Sequence, residues 1–157
     1  MSNNRIKMKY KLKPQGITKD YEFEMIDIKD LTELSIVMLE SIKDTCEDAG
    51  EKLEDIVEEI DSVISGSFAP FIYEASYQVK KKNEIVSAIM ISFYQGYPLI
   101  SEIFTRNEFH KLGLATFLIS MSVNSLLKLG YKELVLNVEA RNTAAINLYK
   151  KIGFIEA

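Results

Sequence analysis

Three features of the sequence predict an α+β fold. Arg5–Lys13 alternates basic and apolar residues at period two, as an extended strand does. The middle of the chain carries β-rich segments separated by short polar turns, the pattern of an antiparallel meander. After Gly113 the apolar spacing turns helical, and a further strand and helix follow. At 157 residues the chain has room for one domain, read over 1–157, that buries about 70% of its unfolded surface.

In Arg5–Lys13 the alternation puts Ile6, Met8, Tyr10 and Leu12 on one face. Pro14, Gly16 and Asp20 punctuate a turn, and Tyr21–Met25 alternates again with acids on its polar face, so the two segments are expected to pair as a hairpin. The basic row reads either as an anchor for an acidic partner or as edge lysines that block aggregation. A first helix is expected over about 30–45, with Asp30 as N-cap, Glu33 reaching back, and Leu34, Val37, Met38 and Ile42 on one face. A second, carrying Leu53, Ile56, Val57, Ile60, Val63 and Ile64, closes at Gly66. The meander comprises Ser76–Lys80, Ile85–Tyr94 and Leu99–Thr105. Helix Leu114–Leu129, strand Glu133–Val138 and helix Thr143–Lys151, capped by Gly153, complete the order.

Composition narrows the function. Hydrophobic residues at 47% and charged residues at 27% match a packed globular domain and exclude disorder or a coiled coil. With 19 Lys and Arg against 23 Asp and Glu, the net charge of -4 has the wrong sign for a dedicated nucleic-acid binder. No apolar run suits a membrane helix, and Met1–Tyr10 is charged where a signal peptide is apolar, so a cytoplasmic protein without membrane partners is expected. One cysteine, Cys46, and one histidine leave no cluster for a structural metal, and none is expected. Between Glu40 and Asp61 ten acids face only Lys43 and Lys52, which reads as a solvated face or as a field drawing in a cationic substrate.

Chemistry concentrates in Phe109–Thr116, where Gly113 permits unusual φ at the passage from strand to helix. Outward N–H groups of Leu112, Gly113, Leu114, Ala115 and Thr116, backed by the helix dipole, would suit a phosphate or diphosphate. Arg106, His110 and Lys111 make this stretch basic, although a glycine at a helix start is also ordinary capping. Asn142-Thr143-Ala144-Ala145-Ile146-Asn147-Leu148-Tyr149-Lys150-Lys151-Ile152-Gly153-Phe154 follows the last long strand. Gly113 and Ala115, then Asn142, Ala145, Tyr149, Gly153 and Phe154, stand at the spacing of the GNAT superfamily of acetyl-coenzyme A-dependent N-acetyltransferases, which the chain resembles over about 73–154.

The resemblance implies a mixed, mostly antiparallel central sheet flanked by helices, here with an N-terminal strand and turn over 1–20 ahead of a core over 21–157. It implies acetyl-CoA as acetyl donor, with no metal, and direct attack of a substrate amine on the thioester. Ile103, Phe104 and Thr105 would bond the pantetheine as an added strand. His110, Lys111, Leu112, Gly113, Leu114, Ala115 and Thr116 would hold the diphosphate, with Asn142, Ala145 and Tyr149 completing the cofactor site. Tyr149 is the expected general acid, or else a half-buried aromatic of an amphipathic helix. Glu102 is the expected base, unless strand alternation turns it away; some base is required because a free alkylamine has a pKa of about 10.4.

Two departures from the superfamily pattern stand out. His110 occupies a position usually held by Gln or Arg, so it either makes cofactor affinity depend on pH or merely caps the loop. The sequence also runs only three residues past Phe154, where the superfamily usually adds a strand. The exposed edge is expected to be covered by Arg5–Lys13 or by a partner chain as a homodimer. The expected function is acetylation of a primary amine on a small molecule. The alternatives are acetylation of a protein N-terminus or lysine, and a non-catalytic acetyl-CoA-binding regulatory module.

Overall fold

The protein, seen in a computed structural model, is described over residues 4–157; the first three residues of the expected domain and of the charged N-terminus lie outside the described residues. Seven strands form one sheet: β1 (Arg5–Lys11), β2 (Phe23–Met25), β3 (Tyr77–Lys81), β4 (Glu84–Tyr94), β5 (Tyr97–Thr105), β6 (Glu133–Glu139) and β7 (Ile155–Glu156). Four helices accompany it: α1 (Leu31–Ile42), α2 (Leu53–Ile64), α3 (Leu114–Lys128) and α4 (Thr143–Ile152). The spatial order is β2-β3-β4-β5-β6-β1-β7, antiparallel throughout except for the parallel pair β5 and β6.

The expected hairpin between the first two strands does not form. All seven residues of β1 pair with β6, Arg5 opposite Glu139 through Lys11 opposite Glu133, while β2 lies at the opposite edge against β3. Alternation had fixed which face of β1 is apolar but not its partner. β1 thus covers the edge of β6 from within the chain. β7 adds a short cover of its own, pairing Glu156 with Met8 and Ile155 with Lys9.

The sheet is buried on both faces, which explains why β4 reads as a nearly continuous apolar run. Met8, Tyr10, Ile89, Ile91, Leu118, Leu136, Tyr149 and Phe154 join one apolar cluster with α3 and α4. Leu34, Val37, Ile56, Ile60, Ala88, Met90 and Phe104 join another beneath α1 and α2. Each fully buried large side chain contributes about 1.5–3 kcal/mol.

The capping box expected at α1 is also absent. Asp30 makes no side-chain cap bond and instead accepts from Gln78 Nε2 at 2.9 Å, while Glu33 accepts from the Ile85 N–H at 2.8 Å. Donors on the sheet capture both carboxylates, and the helix ends at Ile42 rather than near residue 45. α2 spans the expected stripe, with the Asp55 carboxylate accepting from the Lys52 N–H at 2.9 Å.

Candidate active site

β5 and β6 run parallel, and among the described residues their pairing is confined to Leu99 opposite Val135. From Glu102 to Thr105 the edge of β5 that faces β6 therefore carries no ladder, while its other edge stays paired to β4. The Arg106 N–H bonds the Val86 carbonyl, so by strand alternation Phe104 directs its main-chain groups to β4 and also accepts from Ser87 Oγ at 2.9 Å, which leaves Ile103 and the Thr105 N–H facing the gap, as an added extended chain requires. Phe104 is anchored beneath α1 and α2, and Ile103 packs toward α3. A bulge at Ser101, held by its hydroxyl to the Met90 carbonyl at 3.0 Å, bends β5 just before Glu102.

The strand leads into the turn before α3. Lys111 (φ 66°) and Gly113 (φ 78°) are both left-handed, and Gly113 starts the helix without any side-chain cap. The Phe117 N–H bonds the Gly113 carbonyl at 2.9 Å, so the N–H groups of Leu114, Ala115 and Thr116 precede the first full helical bond and have no acceptor within α3. Lys111, Leu112 and Thr116 are exposed, Gly113 and Ala115 half-buried, and Leu114 is a core anchor.

Two basic residues of this stretch turn elsewhere. His110 Nε2 lies 3.0 Å from the Thr105 carbonyl, folding the loop back on the strand. Arg106 pairs with Glu40 at 2.6 Å and donates to the Ile85 carbonyl at 2.9 Å. Asn142 caps α4 by accepting from the Ala145 N–H at 3.2 Å, so these two residues meet each other and fix the start of the helix that carries Tyr149.

Tyr149 is 8% exposed, with its ring 5.8 Å from that of Phe154. Burial, then the Glu47 charge, pushes its phenol up to about 12, with Arg5 opposing. Glu102 lines a cavity of about 320 Å³ together with Arg5, Glu59, Ser62, Phe68 and Asn137. Desolvation among these neighbours, then a hydrogen bond and charge repulsion from Glu59, raises its carboxyl well above the usual range, and Arg5 again opposes. Strand alternation has therefore turned Glu102 into a cavity rather than away from one.

The same ion pair, Arg5 to Glu47 at 3.2 Å, lies within electrostatic reach of both Tyr149 and Glu102. Arg5 also donates to the Asn137 carbonyl at 3.3 Å, and Arg141 ties the Cys46 carbonyl at 3.3 Å to Glu139 at 2.8 Å. Those bonds hold the 43–52 connection over the open ends of β5 and β6. Sequence reasoning missed Arg5, Glu47 and Glu59 as site residues. Glu59 had a legible signal, since Glu59, Ser62 and Val63 share a helix face at three- and four-residue spacing. Arg5 had none short of the β1–β6 register.

Among the described residues, no group of three or more His, Cys, Asp or Glu is placed to hold a metal ion, and no helix is long and apolar enough to cross a membrane. The sheet is mixed and opens at its central parallel pair, beside a glycine-started helix. The family described as Acetyltransferase (GNAT) matches residues 38–154, most of the chain, and the chain belongs to that family.

Its fold is similar to that of a GCN5-related N-acetyltransferase from Sphaerobacter thermophilus, with TM-score 0.74 and 16% identity over 98% of this chain and 48% of that one. The chain thus spans about half the length of that protein. It is also similar to the PaiA N-acetyltransferase from Thermoplasma acidophilum in complex with coenzyme A, with TM-score 0.68 and 18% identity over 86% and 89% of the two chains. A ribosomal-protein alanine N-acetyltransferase from Escherichia coli aligns with TM-score 0.68 and 17% identity over 88% and 79%. No curated protein sequence matches the chain.

Proposed function

We propose that the protein transfers the acetyl group of acetyl-CoA to a primary amine of a small molecule, in a cytoplasmic setting. The observation that carries this reading is that Tyr149 and Glu102, one on α4 and one on β5, share the Arg5–Glu47 pair at the open ends of β5 and β6.

The residues present fit acetyl-CoA. The edge at Ile103 and the Thr105 N–H suits an amide-bearing chain, and the uncapped first turn at Leu114, Ala115 and Thr116, with Lys111 beside it, suits a diphosphate. Bound there, acetyl-CoA supplies an acetyl group activated as a thioester. The cavity beside Glu102 then receives the amine, and its volume of about 320 Å³ suits a small molecule. An incoming ammonium is attracted by Glu59, and Glu102, whose carboxyl binds protons unusually well, would in its ionised form take the proton that must leave before attack. Tyr149 keeps its phenolic proton at neutral pH and would donate it from Oη to the departing sulfur. His110 serves the loop through Thr105.

The test is release of free coenzyme A thiol from acetyl-CoA with a panel of small primary amines, tertiary amines and alcohols, and with peptides bearing a free N-terminus or a lysine. Turnover with small primary amines, absent with tertiary amines and alcohols, supports the reading. Turnover confined to the peptides would move the acceptor to protein, and coenzyme A binding with no turnover would favour a regulatory module.

A further inference from the structure

The segment between β1 and β2 lies along α3 and ends beside the turn that starts it. Midway, the Gln15 N–H donates to Asn124 Oδ1 at 2.8 Å while Asn124 Nδ2 donates to the Gln15 carbonyl at 3.0 Å, clamping the segment to the helix. Gln15 Nε2 also donates to the Tyr10 hydroxyl at 2.8 Å. Further on, Lys19 Nζ donates to the Leu112 carbonyl at 3.1 Å, and the Tyr21 hydroxyl donates to the same oxygen. The Tyr21 ring stands edge-on to Phe117 in the first turn of α3, at 5.2 Å.

Lys19 fills the space that a side chain at position 113 would need. A methyl group on Gly113 would meet Lys19 Nζ at 3.3 Å and its Cδ at 3.5 Å. The ammonium of an exposed lysine is thus held at the mouth of an uncapped helix N-terminus, in a protein of net charge -4. Two other cations stand close by. Lys81 Nζ lies 5.3 Å from the Tyr21 ring centroid and 5.8 Å from that of Phe109, and Lys111 is next to the Leu112 carbonyl in the chain. An ammonium has three donors, so Lys19 can keep Leu112 and still bond an anion in front of the helix.

We propose that Lys19 is a ligand of the diphosphate of acetyl-CoA, delivered to the site by a segment outside the family-matched residues 38–154. This rests on the acetyl-CoA reading above. Helix N–H groups alone recognise phosphate oxygens without a net charge of their own, and a lysine placed over them adds that charge.

Calorimetric titration separates this role from a merely structural one. Coenzyme A and dephospho-coenzyme A, which lacks only the 3′-phosphate, are titrated into the wild type, Lys19→Met and Lys19→Arg, at low and at physiological salt. The expected result is a loss of roughly tenfold in affinity for both ligands in Lys19→Met, a shallower salt dependence, an unchanged melting temperature of the free protein, and substantial recovery in Lys19→Arg. Equal affinities in wild type and Lys19→Met would overturn the proposal while leaving the acetyl-CoA reading intact. A loss seen only with coenzyme A would move the contact to the 3′-phosphate and contradict it. A lowered melting temperature without recovery by Arg would make Lys19 a brace for the turn. Absence of binding by the wild type would sink both readings.

Discussion

The ring of Tyr10 on β1 closes directly over Gly153 at the end of α4: a methyl group on Gly153 would lie 2.8 Å from Tyr10 Cε1. Gly153 has φ 126° and its N–H bonds the carbonyls of Tyr149 and Lys150 at 3.1 Å, while the next residue, Phe154, sets its ring 5.3 Å from that of Tyr10 at a tilt of 30°. The N-terminal strand thereby locks the turn that orients the helix of Tyr149.

Gly153→Ala combines backbone strain with a clash against a ring packed beside Phe154 and tied through its hydroxyl to Gln15, and should cost about 1–3 kcal/mol. Denaturant unfolding measures this. Because the clash is with one ring, Tyr10→Leu should recover part of the loss in the double variant, and strictly additive effects would show that the backbone alone is responsible.

Glu102 carries a pH signature. Its carboxyl binds protons more tightly in the folded protein than in the unfolded chain. Its contribution to stability is therefore complete below the ordinary carboxyl range and lost as pH rises through the folded value. Glu102→Gln removes that loss, so its melting temperature should gain on the wild type as pH rises above the ordinary carboxyl range. Parallel melting curves across that range would contradict the burial of the carboxyl, whatever the activity does.

Tyr149 should ionise only at about 12, above the ordinary phenol value. Ultraviolet titration of wild type against Tyr149→Phe reads this as one missing phenolate step, and the associated stability is lost only as pH climbs above the ordinary phenol value. With the amine acceptor identified, Tyr149→Phe should lower kcat by about a hundredfold and leave the KM for acetyl-CoA nearly unchanged. An unchanged kcat would reduce the residue to a core aromatic.

Local signals in the sequence led to the elements around the candidate site. The meander, the glycine before α3, the helix carrying Tyr149 and its closing Gly153 all follow from spacing within a few residues, and each element took the expected place. What stayed hidden depends on distant pairing. Alternation in β1 could not say that Arg5 would lie opposite Glu139 and reach into the cavity of Glu102. The acidic run announced a field but not its geometry, in which Glu47 meets Arg5 while Glu59 meets Glu102. Asp30 and Glu33 had the right spacing for a capping box and lost it to donors on β3 and β4, because a side chain takes whichever partner the tertiary fold brings closest.

The most direct test of the account is the thermal unfolding midpoint as a function of acetyl-CoA concentration. Ligand at 100 times its dissociation constant should stabilise the fold by about 2.7 kcal/mol, which for a domain of this size raises the midpoint by several degrees at roughly 2–4 °C per kcal/mol. A midpoint that climbs with concentration is the predicted result, and one that stays flat up to millimolar acetyl-CoA would contradict the assignment.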